Sequence, residues 1–588
     1  MRNLKTFYTT GQIPEEGTAN LTNFTKLGKY TFVSNLFEKI ILGDSIAEIP
    51  LYCFGNNQNT SVLKSVEIPA SVTNIADYAF AQAKNLVYIK FNNDNFTYQA
   101  NSFAGMAARA TIIAPEGSKG ESLATELGVQ FIDSAEAPEI VAYYTNDNSV
   151  LLLAKIDDSN YTAFCTGSAT YFNMGYTDYY KAVESKDGSN GPNRVWDDYK
   201  SLITKAVYVN PNFTKIDSSF AKHASLKTVE LPASVTTITE SCFNQSGLTT
   251  LYVTGNEMVE SVVDLRNVTS IGGMAMAGCQ AKNILLSDDL TGTWGNNMFW
   301  NCSNLTYIRI PKGVTGAQDD PFNTNTVSLT TVLVENSDFE FSDGMFEDSI
   351  NLSTIIGYKN SKAEEYATSK GLTFIPIDAA GVLNFDGFQV KKSGTNGLRS
   401  LYTANLTKME TYEDAGFRVV EFGSILASTA KLTAAGESNL TIYKNENGEY
   451  KSSSFAFVYP IYQNGSRTNN KIIKDTPAGV NAETGEKIDH TVEYACTVTE
   501  FNETNYNMEV ISRGYVVYAD AEGNEYIVYA DLYDDDGNNA DPVTGKLYNS
   551  TTLKIVCTEL LEAGLIDNTY ISWIDVQNFK NVTTVTAS

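Results

Sequence analysis

Histidine is almost missing from this chain: His223 and His490 are the only two among 588 residues. Nucleophilic catalysis of the Ser-His-Asp or Cys-His kind needs an imidazole beside the nucleophile, so that class is nearly excluded. His223 sits in a repeat corner (FAKHASL), which points to a surface or corner role, and His490 sits in a polar loop before a strand. Cysteine is sparse, with seven residues (Cys53, Cys165, Cys242, Cys279, Cys302, Cys496, Cys557) and no CxxC pair. An odd, scattered set makes neither a disulfide framework nor a zinc site, and these residues read as small buried apolar groups. Basic residues are outnumbered, 42 Lys and Arg against 69 Asp and Glu, for a net charge of −27. That balance argues against nucleic acid and anionic membrane surfaces as partners, because both need basic clusters. No apolar run reaches the roughly eighteen residues of a membrane-spanning helix. The N-terminus, MRNLKTFYTTGQIPEEG, has no apolar core of a signal peptide and reads like mid-domain sequence. Either the chain is cytosolic or its export signal has been removed, and a start that reads like mid-domain sequence favours the second.

What is present in quantity is tyrosine (34), phenylalanine (29) and repetition. LKSVEIPASVTNI, Leu63 to Ile75, recurs as LKTVELPASVTTI, Leu226 to Ile238, with ten of thirteen positions identical. Leu63, Val66 and Ile68 stand in the spacing L-x-x-V-x-I, one short strand per coil. Alternation turns Val66 and Ile68 inward and leaves Lys64, Ser65 and Glu67 facing out. Pro69 stops the strand because it has no N–H for the ladder. Val72 and Ile75 return to the core and Phe80 plugs the far corner. Leu86, Ile89 and Phe91 repeat the pattern 23 residues on, and Phe103 follows Phe80 by the same interval. The frame returns at Leu226-Val229-Leu231, Leu248-Leu251-Val253, Leu305-Ile308-Ile310 and Leu329-Val332-Val334. A fixed period near 23 predicts a solenoid in which each coil buries its apolar face against its neighbours. Coils near 255–285 and 311–345 are stretched by insertions.

ExIPxSVTxI followed by an AF or CF corner resembles the BspA-like (Treponema-type) leucine-rich repeats of bacterial surface proteins, over roughly residues 35–377. SKGESLATELGVQFI (118–132) matches SKAEEYATSKGLTFI (361–375), each reading as a short helix, a Gly stop and a final strand. The resemblance implies that such a segment closes an array, so two arrays are expected, each with its own cap. VLLLAKI and YTAFCTGSATYF resemble the family's N-terminal hairpin, and VWDDYKSLITKAVYV its lead-in, with Trp196 and Tyr199 covering the core.

After Asp378 the period stops. Alternating runs such as FRVVEFGSILAS and MEVISRGYVVYA, separated by Gly, Asn and Asp clusters, predict a β-sandwich-like domain. Helical segments are expected near 405–416 and 551–564. The run resembles a β-rich C-terminal module of Firmicutes surface proteins. The resulting division is 1–135, first array with cap; 136–378, second array with hairpin lead-in and cap; and 379–588, C-terminal domain. The fold class is mainly β: two solenoid arrays followed by a β-sandwich-like domain.

Paired carboxylates could hydrolyse a glycoside, but no pair is singled out by its setting. DLYDDDGNNAD (531–541) suggests calcium; with Gly537 at position six, Leu532 and Val543 fall where ligands belong, so the EF-hand pattern fails. No cofactor and no metal are expected. The outward positions of the strand frame remain, and they single out Tyr88, Lys90, Tyr252, Tyr307 and Arg309. Tyr and Arg on a rigid surface are what interfaces use as anchors, although Tyr also favours exposed strand positions for its own sake. The resemblance implies an extracellular, cell-surface adhesion or interaction protein that binds protein or glycan on host or bacterial surfaces; the want of histidine and of any catalytic motif points away from an enzyme, and a monomer is expected. Carbohydrate binding through the many tyrosines, and a spacer role without any ligand, are the alternatives.

Overall fold

The computed structural model describes residues 5–56, 61–174, 194–318, 320–322, 324–342, 344–377, 382–391, 397–463, 466–467, 472–482, 484–502, 504–530, 540 and 547–564. The acidic run 531–541 lies outside the described residues apart from Ala540. Two compact units are present, Met1–Ser353 and Thr354–Ser588.

The first unit is a solenoid. Its first sheet stacks Thr18–Leu21, Lys39–Leu42, Ser65–Ile68, Tyr88–Phe91, Thr111–Ala114 and Gln130–Asp133 in order, all parallel. Register places Val66 beside Ile40 and Ile89, and all three are buried in one core. At the far corner Phe32, Phe54, Phe80 and Phe103 form a ladder of stacked rings 5.7, 5.6 and 5.6 Å apart. Each such contact contributes about 1 kcal/mol beyond the burial of the ring. At three of these four corners the residue two positions before the phenylalanine is left-handed. In this array that residue is Tyr30, Tyr52 or Tyr78, with φ of 60°, 52° and 57°. Their rings stack in turn, at 5.5 and 4.7 Å, which helps to offset a left-handed backbone that costs about 1–2 kcal/mol per residue.

Helix Lys119–Leu127 closes this array. The Ser118 hydroxyl accepts from the Gly120 and Glu121 amides, and Gly128 ends the helix at φ 65°. Both features follow from the sequence, since Ser satisfies orphan N–H groups and Gly takes the left-handed cap without a Cβ clash.

The second sheet opens with an antiparallel hairpin, Glu139–Asn146 and Ser149–Lys155, and a third antiparallel strand Tyr161–Gly167. Parallel strands then follow: Ile203–Tyr208, Thr228–Leu231, Thr250–Val253, Val262–Leu265, Asn283–Leu286, Tyr307–Ile310 and Thr331–Val334. Strand Val262–Leu265 is an extra coil inside the stretch 255–285. Trp196 is fully buried, with its ring 5.7 Å from that of Tyr144. Phe299, Phe322 and Phe346 rebuild the corner ladder at 5.5 and 4.9 Å.

The second unit begins with parallel strands Thr354–Gly357 and Thr373–Pro376 around helix Lys362–Lys370, capped by Ser361 and by Gly371 at φ 69°. Two antiparallel sheets follow. One orders Leu383–Lys391, Gly397–Asn405, Thr491–Thr499 and Ile472–Thr476; the other is centred on Arg418–Ser428 and Glu509–Ala519. Phe388, Val390, Leu398 and Cys496 of the first sheet share a core with Leu426 and Val510 of the second, which makes the arrangement sandwich-like. Helices Leu406–Asp414 and Leu553–Glu562 occupy the two expected segments, and a third, Thr429–Ala434, follows the strand SILAS.

Candidate binding face

Alternation gives each sheet of the solenoid an outward row of side chains. In the first array two rows run across the strands in register, Lys39-Ser65-Tyr88-Thr111 and Ile41-Glu67-Lys90-Ile113. The later half of this face is covered by the chain itself. Tyr88 and Ile113 share an apolar cluster with Val150, Leu152, Ala154 and Phe164 of the hairpin and the strand after it. Tyr143 packs edge-on against Tyr88. Thr111 Oγ1 donates to Thr166 Oγ1 at 2.9 Å, and Arg109 Nη1 donates to the Asp147 carbonyl at 2.6 Å. Lys90 Nζ donates to the carbonyls of Ala137 and Pro138.

Tyr88 and Lys90, expected on an open surface, are therefore only 4% and 6% exposed. They do face out from their own sheet; the hairpin then covers them. Burial is also the largest cause raising the Tyr88 phenol above its ordinary range, with the charge of Glu67 next.

The second array divides differently. Tyr307 and Arg309 are 6% and 2% exposed, again against expectation. The Arg309 guanidinium is held by Asp288 at 2.7 Å, by Glu335 at 3.0 Å and by the Leu286 carbonyl at 2.6 Å. A cation so engaged has its donors committed inside the protein. Tyr307 stands between Asn283 and Thr331 in register.

Between these ends the face is open. Lys205, Glu230, Tyr252, Asp264 and Leu285 are all partly exposed. Tyr252 is thus the one residue of the five expected that remains accessible. Its hydroxyl donates to Glu230 Oε2 at 2.5 Å, Lys205 Nζ lies 3.2 Å from the same carboxylate, and Lys205 Nζ is 5.9 Å from the Tyr252 ring centroid. Burial opposes the charge on Lys205, but Tyr252 and Glu230 outweigh it and raise its pKa. The group presents an aromatic body with a polar tip, braced by an ion pair.

His223 is fully buried instead of lying at the surface. Its Nδ1 lies 3.1 Å from the Ala221 carbonyl and its ring 5.6 Å from that of Phe220. Burial, then the nearby Arg194, push the imidazole down to about 3, so it is neutral at pH 7 and sealed from any substrate. His490 is paired with Asp475 at 2.8 Å. All seven cysteines are buried free thiols, and burial raises those of Cys53, Cys279 and Cys557 to about 12. Among the described residues no group of three or more His, Cys, Asp or Glu could hold a metal ion, and no helix is long and apolar enough to cross a membrane.

Residues 9–120, 199–262 and 258–353 match the BspA type leucine rich repeat region, in six copies. Among solved structures the chain is similar to a leucine-rich repeat protein of Bacteroides ovatus, at 16% identity and a TM-score of 0.22, over 63% of this chain and 91% of that one. It is also similar to a leucine rich cell surface protein of Faecalibacterium prausnitzii, at 16% identity and a TM-score of 0.20, over 62% and 88% of the two chains. A third is the pneumococcal vaccine antigen PcpA, at 14% identity and a TM-score of 0.19, over 61% and 79%. None of the curated proteins compared with this chain matches it.

Proposed function

This chain carries BspA-type leucine-rich repeats, and from that premise we propose that it is a non-enzymatic, extracellular cell-surface protein. It binds protein or glycan on host or bacterial surfaces through the strand face of its solenoid. The observation that carries this reading is the open stretch of the second array's face from Lys205 to Leu285, with Tyr252 held upright by Glu230 and Lys205 at its centre. Rigid strands present those side chains at fixed spacing, and an accessible tyrosine is the kind of anchor interfaces use, with the Lys205–Glu230 pair beside it suited to a polar rim. A monomer serves this purpose, since one face engages one partner.

The test immobilises the purified chain against host matrix proteins, mucins and glycans. A saturable hit that weakens on Tyr252→Ala supports the reading and places the face. A blank across the panel overturns it in favour of a spacer.

A further inference from the structure

The hairpin and the strand after it form a second layer over the first array's sheet, and that layer stops short. Lys90 donates to the Ala137 and Pro138 carbonyls and Tyr88 meets Tyr143, so Glu139–Asn146 runs above Tyr88–Phe91. Thr166, in the strand after the hairpin, reaches Thr111 of the next coil. Glu139–Asn146 is therefore the outer edge of the layer, and three strands of the first sheet, Ser65–Ile68, Lys39–Leu42 and Thr18–Leu21, extend beyond it. One side of Glu139–Asn146 pairs with Ser149–Lys155. Among the described residues no strand pairs with its other side, and no hydrogen bond outside that pairing reaches its backbone. Native edges are commonly blunted by Lys, Pro or a bulge. Here the bulge lies between Ile140 and Ala142, and the run from Ala142 to Asn146, AYYTN, is regular and uncharged. Neighbouring strands stand about 4.8 Å apart and stacked sheets about 10 Å, so the next place in the layer lies over Ser65–Ile68. A groove of about 280 Å³ is sunk there, with Ile41, Asp44 and Glu67 in its lining. Ser65 and Tyr88 at its margin are buried and offer no contact.

We infer that the free edge of Glu139–Asn146 takes up an extended segment of a partner protein as one added strand. A strand meets the edge with its own N–H and C=O groups in series, which neither a sugar nor a helix surface offers. Its alternate side chains point down toward the groove. There the half-buried Ile41 favours an apolar residue, and the exposed Asp44 and Glu67 disfavour an acidic one. A second copy of this chain does not fit. Antiparallel pairing of two Glu139–Asn146 edges sets a two-fold axis perpendicular to the layer, and both first arrays then lie on the same side of it. Each array projects three strands past its own edge, into the space the other occupies. A single strand lies over the ledge without that collision. The inference goes beyond the strand-face reading, because it uses a backbone edge of the hairpin and not the outward side chains of the second array.

The test is hydrogen exchange of the full chain with and without the peptide acetyl-Lys-Thr-Val-Thr-Val-Thr-Val-Thr-Lys-amide. A second peptide, N-methylated at two adjacent central residues, keeps the charge and side chains but loses an N–H on each edge. The expected result is that the first peptide slows exchange within Glu139–Asn146 by about tenfold or more at saturation and the methylated one does not. Ile41→Asn, at the groove, is expected to weaken the peptide about threefold to tenfold. Ile350→Asn, at an exposed corner of the second array, is expected to change it less than about twofold. Equal protection by both peptides, protection confined to another edge such as Thr373–Pro376, or no protection at all overturns the inference. So does a chain that sediments as a dimer with Glu139–Asn146 already protected, which assigns the edge to a second copy.

Discussion

Tyr88 and Tyr143 meet edge to face, with ring centroids 6.0 Å apart and planes at 69°. One belongs to the first array and the other to the hairpin that opens the second, so this pair is one of the contacts that join the two arrays. Replacing Tyr143 by alanine removes the ring contact and opens a void beside Tyr88. The expected loss of stability is about 2–4 kcal/mol. Hydrogen exchange checks the location: protection is lost first in Tyr88–Phe91 and Ser149–Lys155. A uniform loss across the chain, or none, counts against the join.

Arg309 and Tyr252 separate folding from binding. Both occupy outward positions of the strand frame, but Arg309 is 2% exposed and bound to Asp288, Glu335 and the Leu286 carbonyl. Arg309→Ala leaves the largely buried Glu335 without its cation and is expected to destabilise by about 3 kcal/mol. Tyr252→Ala is expected to lower stability by less than about 1 kcal/mol, because its hydrogen bond is half-exposed, and to act on partner affinity instead. Thermal melts of the two variants beside the capture assay decide this. Similar melting losses for both would contradict the division.

Asp217 and His223 pull stability in opposite directions as pH changes. Burial raises the Asp217 carboxyl from 3.8 to about 6, although Ser219, the Met174 amide and Arg194 pull it down. The folded chain therefore holds that proton more firmly than the unfolded chain, and the penalty of ionising it is full above pH 6 and fades toward pH 4. His223 is lowered from 6.5 to about 3, so its contribution is full above pH 6.5 and is lost as pH falls through 3. Asp217→Asn isolates the acid. The melting temperature of the wild type minus that of the variant is expected to rise as pH falls from 6 to 4. A difference that stays level over that window refutes the account.

In the C-terminal domain Glu421 is 3% exposed and accepts hydrogen bonds from the Tyr515 hydroxyl and the Gln463 amide. Burial raises its pKa, and both donors oppose that rise. Tyr515→Phe keeps the ring and removes one donor. The expected cost is about 1–3 kcal/mol at neutral pH, with some of it recovered on acidification as Glu421 takes up a proton. An equal cost at all pH values would place the loss in packing instead.

The coil-level architecture was legible from residues such as Val66, Ile68, Ile89 and Phe80, because their burial depends only on the coils on either side. The same holds for Ser118, Gly128, Ser361 and Gly371, whose roles are set within one helix. Tyr88 and Lys90 were not legible in the same way. Alternation says which side of a strand a residue faces, and not what lies on that side. Their cover comes from residues 137–164, which the repeat frame does not reach. Strand Val262–Leu265 is invisible to the frame because VVDL has no leucine lead-in three positions before its first inward residue. His223 shows the same limit: a corner position gives no sign of the Arg194–Tyr199 segment that folds beside it.

The hairpin lying on the first array also changes how the chain carries load. Stacked coils joined only to their neighbours peel away singly when pulled from an end, like a zip. The contacts of Lys90 with Ala137 and Pro138, and of Thr111 with Thr166, tie strands to segments 47 to 55 residues away. Tension entering the first array must shear these lateral ties together before its later coils can separate, so the middle of the first unit yields as a block, not coil by coil.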